Sequence, residues 1–454
     1  MKKISLLMAF LITGYILGIW NILVLPKYYI NFGMKGFLIS LVPMLLALFL
    51  IYNEAESTKR TRYLIYDLFF KMSRTPALIF VLVMFLLVML GVTTYYSSYS
   101  LIYIFGTGSK FVPVIAFGTI LISAILLLIA KGRTLEVISV LSVLFVLFTI
   151  VSTLIIRNQA LNTVSSFGAV YYMKSAISAI TSFNQPLSFR GVLYMLTSVL
   201  ISFGLGAGVY YVVGSFAPRE LDFRKILVVV FVLQIILNFA TAFTVAYSLG
   251  TGYQAFERAF YIALEESDEL YLRFQELKEY ATNSEKSPMD SIEVFYSIPY
   301  VLRGNIANAD RLIYLLMLSL YFAGLTTIIL LMEIGSQIFS EVIQLERSRS
   351  LGLVAFLGFV LSATMAIGDV RTMFTVIPFS AGAIIAAVEV YPLLSVTHSK
   401  RAVVGAVICL LIIGLLTLYH ALRTPSIIIK IGALLGLVLL VPALMNSILM
   451  KYQR

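Results

Sequence analysis

Gly14, Gly18 and Asn21 stand in one apolar run, TGYILGIWNILVLP, that closes on Pro26. Glycine costs roughly 1 kcal/mol in a helix interior and lets the backbone unwind, while a polar side chain in hydrocarbon needs a partner. Unwinding would release carbonyl oxygens for a cation and N–H groups for a carboxylate; close helix packing through small residues is the plainer alternative. A second run, ISFGLGAG, crowds Ser202, Gly204, Gly206 and Gly208 together. Alternate glycines cannot all face one neighbouring helix, so a break is the better account. Farther on, YFAGLTTI sets Thr326 and Thr327 just after Ala323 and Gly324. Threonine in a membrane helix often bonds its own i−4 carbonyl. The functional reading instead puts both hydroxyls opposite the first unwound stretch, completing an oxygen cage, with Ser336 and Gln337 too far along the helix to share it. Sodium is hard and weakly polarising, so neutral oxygens can hold it without a full carboxylate.

These runs need a membrane around them. The chain has 454 residues, 60% hydrophobic and 12% charged, with a mean hydropathy of +0.98, which excludes an ordinary soluble globular protein. Windows nearly free of charge lie at 5–26, 32–53, 77–105, 110–130, 135–156, 189–214, 225–249, 311–340, 351–368, 374–395, 402–421 and 427–450. We number them spans 1 to 12. At about 1.5 Å of rise per residue each can cross a ~30 Å hydrocarbon layer. The alternating short segments of a β-barrel are absent.

Basic residues set the orientation. Lys2 and Lys3 precede span 1; Lys59, Arg60, Arg62, Lys71 and Arg74 lie between spans 2 and 3; Lys131 and Arg133 follow span 4. Arg219, Arg224 and Lys225, then Arg347 and Arg349, Lys400 and Arg401, and Lys451 and Arg454 fall on the same side. The positive-inside rule therefore predicts cytoplasmic N- and C-termini in a multi-pass cell-membrane protein. The net charge of +11 is then a topology signal, and no nucleic-acid partner is expected. The run from Lys3 to Pro26 lacks a small-residue cleavage pattern and reads as a retained span. One cysteine allows no internal disulfide, and His398 and His420 lack metal-ligand spacing, so no metal other than sodium is expected.

Two outside connections are long. Residues 157–190 contain AVYYMKSAISAI, an amphipathic helix in pattern, and 250–310 contain FERAFYIALEESDELYLRFQELKEY, a helix followed by the turn-like NSEKSPMD. Both read as solvated loops or as lids folded over a vestibule. Pro76 suits the start of span 3, and Asp67 with Lys71 forms an i, i+4 pair. Glu333 and Glu389 are the acids deepest within apolar runs, and Asn238 in span 7 is a buried amide; each needs a partner or water.

No nucleotide-binding GxxxxGK[ST] run and no TVGYG filter occurs, which leaves secondary transport; no nucleophile–base pair points to an enzyme. Spans 1 and 6, both with glycine breaks, are separated by four further spans, as expected for two five-span repeats inverted relative to each other.

At these residues the chain resembles the neurotransmitter:sodium symporter family, through GYILGIWNILVLP, SFGLGAGVYY, NFATAF, FAGLT and FSAGA, in order across about residues 7–385. The resemblance implies an all-α fold of twelve transmembrane helices with discontinuous helices 1 and 6. Its parts would be a first repeat at 1–160, an external loop at 161–188, a second repeat at 189–395 that includes the loop 250–310, and spans 11 and 12 at 396–454. It implies sodium-coupled symport of a neutral, hydrophobic amino acid or related small solute, by alternating access. Position by position, the second sodium site would take backbone oxygens of Gly14, Leu17 and Ala323 and the hydroxyls of Thr326 and Thr327. The first would use the Ile16 carbonyl, Asn21 and Asn238, but the family's hydroxyl on span 6 falls on Leu200, leaving the substrate carboxylate or Ser202 to make up the loss. Ala242 and Leu196 stand where chloride-dependent relatives carry serine and glutamine, so no chloride is expected. The substrate pocket would be lined by Val199, Ser202, Leu205, Thr327 and Leu331, with Tyr95 or Tyr96 on the carboxylate. The family's outer gate pair falls on Val24 and Pro378, so closure passes to apolar contact or to other groups such as Lys27. Two alternatives stand beside symport of this kind: a non-transporting sensor or scaffold on the same fold, and a proton-coupled transporter drawing on Glu333.

Overall fold

The computed structural model describes residues 3–130, 133–262, 264–303, 309–397 and 399–447. Lys2, Lys131, His398, Lys451 and Arg454 lie outside the described residues. The described residues fold into helices, and nine of these helices are long and apolar enough to cross a membrane.

Span 1 is interrupted. Its first half is the helix Lys3–Ile16; Leu17 and Gly18 leave the helical path, and a new helix starts at Ile19. That second helix, Ile19–Thr61, carries the rest of span 1 and all of span 2. The two are joined at Gly33, whose φ of 57° and ψ of −142° only glycine adopts without strain. The turn is pinned from outside: Met34 N–H donates to the Ser182 carbonyl at 3.0 Å, and a Cβ on residue 33 would strike the carbonyls of Ala179 and Ser182.

Span 6 is interrupted as well, between Phe189–Ser202 and Val209–Phe216. Gly204, Gly206 and Gly208 have φ of 65°, 101° and 72°. Residues with a Cβ would be strained in all three places, so the alternate glycines are explained by backbone conformation and not by helix packing.

Around these breaks the long helices close a bundle. Ala309–Ile343 packs most heavily against Ala77–Phe105 and Thr134–Thr163, while Lys3–Ile16 lies on Thr134–Thr163. Pro76 immediately precedes the helix Ala77–Phe105, and Lys71 Nζ meets Asp67 Oδ1 at 2.9 Å.

The loop 157–190 holds the helix Phe167–Thr181, which buries Ala169, Met173, Ala176 and Ile180 on one face. Ser166 caps its start by accepting from Ala169 N–H at 3.3 Å. Span 7 runs well past its apolar window, as a helix from Phe223 to Ile262. Its polar extension is held by tertiary bonds: Gln254 Nε2 donates to the Thr163 carbonyl at 2.8 Å, and its Oε1 accepts from Ser165 N–H at 2.7 Å. Beyond it come the helix Leu264–Thr282, a turn, and the short pieces Ile292–Ser297 and Ile298–Arg303.

Candidate functional site

The break in span 1 faces span 8. Thr326 is fully buried, and its hydroxyl lies 2.9 Å from the Gly14 carbonyl and 2.9 Å from that of Ala323. Thr327 lies 3.2 Å from the Ala323 carbonyl, and its hydroxyl stands against the backbone of Gly18. Each hydroxyl bonds a carbonyl of its own helix, and Thr326 also reaches across to span 1. At the break, Leu17 N–H bonds Thr13, Gly18 N–H bonds Tyr15, and Asn21 N–H bonds Gly18. Among the described residues no backbone N–H donates to the carbonyls of Ile16 and Leu17. The carbonyls of Gly14 and Ala323 and the hydroxyls of Thr326 and Thr327 thus meet in one buried corner.

A second polar corner joins span 1 to span 7. Asn21 Nδ2 donates to Asn238 Oδ1 at 2.5 Å, and Asn238 Nδ2 donates to the Tyr29 hydroxyl at 3.1 Å. Gln234, one helical turn before Asn238, donates to Asn21 Oδ1 at 3.4 Å. All three amides are buried. Gln234 escaped the sequence reading, although its i, i+4 spacing to Asn238 in QIILN puts both on one helix face.

Val199, Leu205 and Leu331 are buried, and Ser202 donates its hydroxyl to the Val199 carbonyl at 2.7 Å. The two tyrosines of span 3 part company. Tyr96 packs edge-on to Trp20 and bonds Thr375 at 3.2 Å, whereas Tyr95 accepts from Arg371 at 2.6 Å. Trp20 also donates to Thr93 at 3.0 Å and meets Phe379 edge-on.

The unwound stretch of span 6 is capped by an acid. Glu389 accepts from the N–H groups of Gly206 and Gly208, the latter at 2.6 Å, and its carbonyl accepts from Tyr211 at 2.9 Å. Tyr15 donates to the Gly204 carbonyl at 3.1 Å, and Tyr210 donates to that of Phe203. The acid is thus a structural partner for donors that a helix would have satisfied internally. Glu333 is not deep in the bundle. It pairs with Arg347 at 2.8 Å, since its helix runs on to bring it level with the start of the next one. Glu54, by contrast, is fully buried with neither oxygen hydrogen-bonded, and it was not legible beforehand because NEAE reads as a charged span end.

At one end of the bundle, spans 1 and 10 are tied down by the loop 250–310. Lys27 is buried, and its ammonium donates to the Lys286 carbonyl at 2.6 Å and to Ser291 at 3.0 Å. Next to Pro26, the Tyr280 hydroxyl accepts from Lys27 N–H and donates to the Leu23 carbonyl, both at 3.2 Å, bridging the two ends of one helical rung. Arg371, which holds Tyr95, also pairs with Glu293 at 2.9 Å. Desolvation in the loop raises the Glu293 carboxyl above its ordinary value, and Arg371 draws it partway back. Val24 and Pro378 are buried and carry no charge.

At the other end a cavity of about 710 Å³ lies between the first half of span 1, spans 5 and 8, and the second half of span 6. Met8, Leu11, Ile138, Val213, Leu330 and Glu333 are among its lining. None of the residues expected to hold substrate lines it, but Leu11 is within one helical turn of Gly14.

No family model matches the sequence, and neither does any curated protein. Its fold is similar to that of MhsT. A crystal structure of MhsT in complex with L-phenylalanine matches with a TM-score of 0.58, at 14% identity, over 91% of this chain and 98% of that one. The likeness to MhsT establishes an all-α polytopic membrane fold with discontinuous helices.

Proposed function

We propose that the chain is a secondary active transporter coupling sodium to the inward movement of a neutral, hydrophobic amino acid or a related small carboxylate-bearing solute, by alternating access. The observation that carries this reading is the meeting of Thr326 with the Gly14 carbonyl at an opened helix, which collects neutral oxygens suited to a small hard cation. The second sodium site is Gly14, Leu17, Ala323, Thr326 and Thr327; the first is Ile16, Asn21 and Asn238. Substrate lies against Val199, Ser202, Leu205, Thr327 and Leu331, with Tyr96 preferred to Tyr95, whose hydroxyl is engaged by Arg371. MhsT, of similar fold, is described in complex with L-phenylalanine, which supports an amino acid as the solute.

In this reading the chain crosses the bilayer twelve times, with two inverted five-span repeats at 1–160 and 189–395 and both termini in the cytoplasm. The cavity then opens to the cytoplasm and the Lys27 and Arg371 contacts close the outside. Chloride is not required. A membrane potential supplies about 2.3 kcal/mol per charge per 100 mV to the inward step.

Proton coupling is the second reading. Pairing with Arg347 removes Glu333 as its carrier, and the buried, unbonded Glu54 takes that place. Vesicles holding the purified protein, given a sodium or a proton gradient separately, decide between them. Uptake of an amino acid selected by thermal-shift screening follows the sodium gradient alone if the proposal holds. Binding without flux under either gradient would leave a sensor.

A further inference from the structure

The amides between spans 1 and 7 form a chain of hydrogen bonds with one permitted direction. A carbonyl can only accept, so Ser40 donates to the Phe37 carbonyl at 2.7 Å. Tyr29 then donates to Ser40, Asn238 to Tyr29, Asn21 to Asn238 and Gln234 to Asn21. This polarity fixes which end of each amide is nitrogen, a choice that the network decides. The chain ends on Gln234 Oε1, which is buried and accepts from nothing among the described residues. An amide oxygen stripped of water and left without a partner is destabilising, which favours a ligand there.

That unpartnered oxygen belongs to the side chain that meets Asn21, beside a site expected to lack one oxygen. Leu200 replaces the hydroxyl expected from span 6 at the first ion site, while Asn21 and Asn238, the side chains expected there, belong to the same amide chain as Gln234. The Ile16 carbonyl, freed by the break in span 1, lacks an amide donor as well. We infer that Gln234 Oε1 is a ligand of the first sodium site and takes the place of the absent hydroxyl. The first ion is then held by the side-chain oxygens of Asn21, Asn238 and Gln234 with the carbonyl of Ile16, without any carboxylate of the protein. A hard monovalent cation fits an all-oxygen, uncharged set of this kind. The inference rests on the sodium-coupled reading above and extends it to a residue on span 7.

The test counts ions on the purified full-length chain in lipid nanodiscs, by equilibrium dialysis of radiolabelled sodium against a potassium background at constant ionic strength. The unmodified protein binds two sodium ions. Q234L keeps one, with its affinity unchanged, and T326A/T327A loses that other ion instead. Q234E offers a charged oxygen at the same reach and tightens the first site about tenfold or more, which a merely structural role for Gln234 would not do. Q234E also decides the matter if Q234L fails to fold. An unaltered count in Q234L, or an unaltered affinity in Q234E, overturns the assignment while leaving sodium coupling intact. An unmodified protein that does not distinguish sodium from potassium removes the sodium-coupled reading itself, and this assignment with it.

Discussion

At the scale of single residues, the threonines carry the sharpest consequences. Removing the Thr326 hydroxyl takes away the oxygen that links span 8 to Gly14, so T326A/T327A should cut sodium-dependent thermal stabilisation to the share that the first site supplies, while leaving the fold, which rests on apolar packing, intact. The difference between melting temperatures in sodium and in potassium should be smaller for the variant than for the unmodified protein. On the outer side, R371M leaves Glu293 without its partner and frees the Tyr95 hydroxyl. We expect faster modification of a cysteine placed at Tyr99 by an impermeant reagent from outside, measured on a C409A background because Cys409 is exposed. These residues differ in how plainly the sequence showed them. Gly14, Asn21 and Thr326 were visible because small or polar types interrupt apolar runs. Arg371 and Glu293 were not, since charges at loop and span ends look like solvated ones until the fold brings the loop over span 10.

At the scale of elements, the break in span 6 depends on one acid more than on its own helix. E389A would leave the N–H groups of Gly206 and Gly208 buried without acceptors, at about 1–3 kcal/mol for each. E389Q keeps one acceptor oxygen, so its melting temperature should fall less than that of E389A; equal losses would assign the effect to volume and not to capping. G206A forces a Cβ onto a backbone with φ of 101° and brings it against Phe85, and should destabilise the protein by about 1–3 kcal/mol in reversible unfolding. The break in span 6 was legible, because three alternate glycines have no use in a continuous helix; that in span 1 was one of two readings of Gly14 and Gly18. The length of span 7 was not. Hydropathy marks where lipid ends, whereas the helix continues to Ile262 because Gln254 and the loop helices satisfy its polar extension.

At the scale of the whole molecule, one end is sealed by Lys27, Tyr280, Arg371 and Glu293 while the other opens into the cavity beside Met8 and Val213. A cysteine at Val213 on the C409A background should react with a small maleimide in the absence of sodium, and several-fold more slowly with sodium present, as the first half of span 1 returns toward span 8. No change with sodium would separate ion binding from closure. The joint at Gly33 bears on how such a movement spreads. The outer part of span 1 and the whole of span 2 meet there, and the bend is fastened to the Ser182 carbonyl at the end of the helix Phe167–Thr181. That surface helix is therefore a handle on the hairpin: if the proposed transport and orientation hold, an antibody fragment gripping Phe167 and Tyr171, both exposed, would act as a brake on turnover from outside the cell without touching the solute's path.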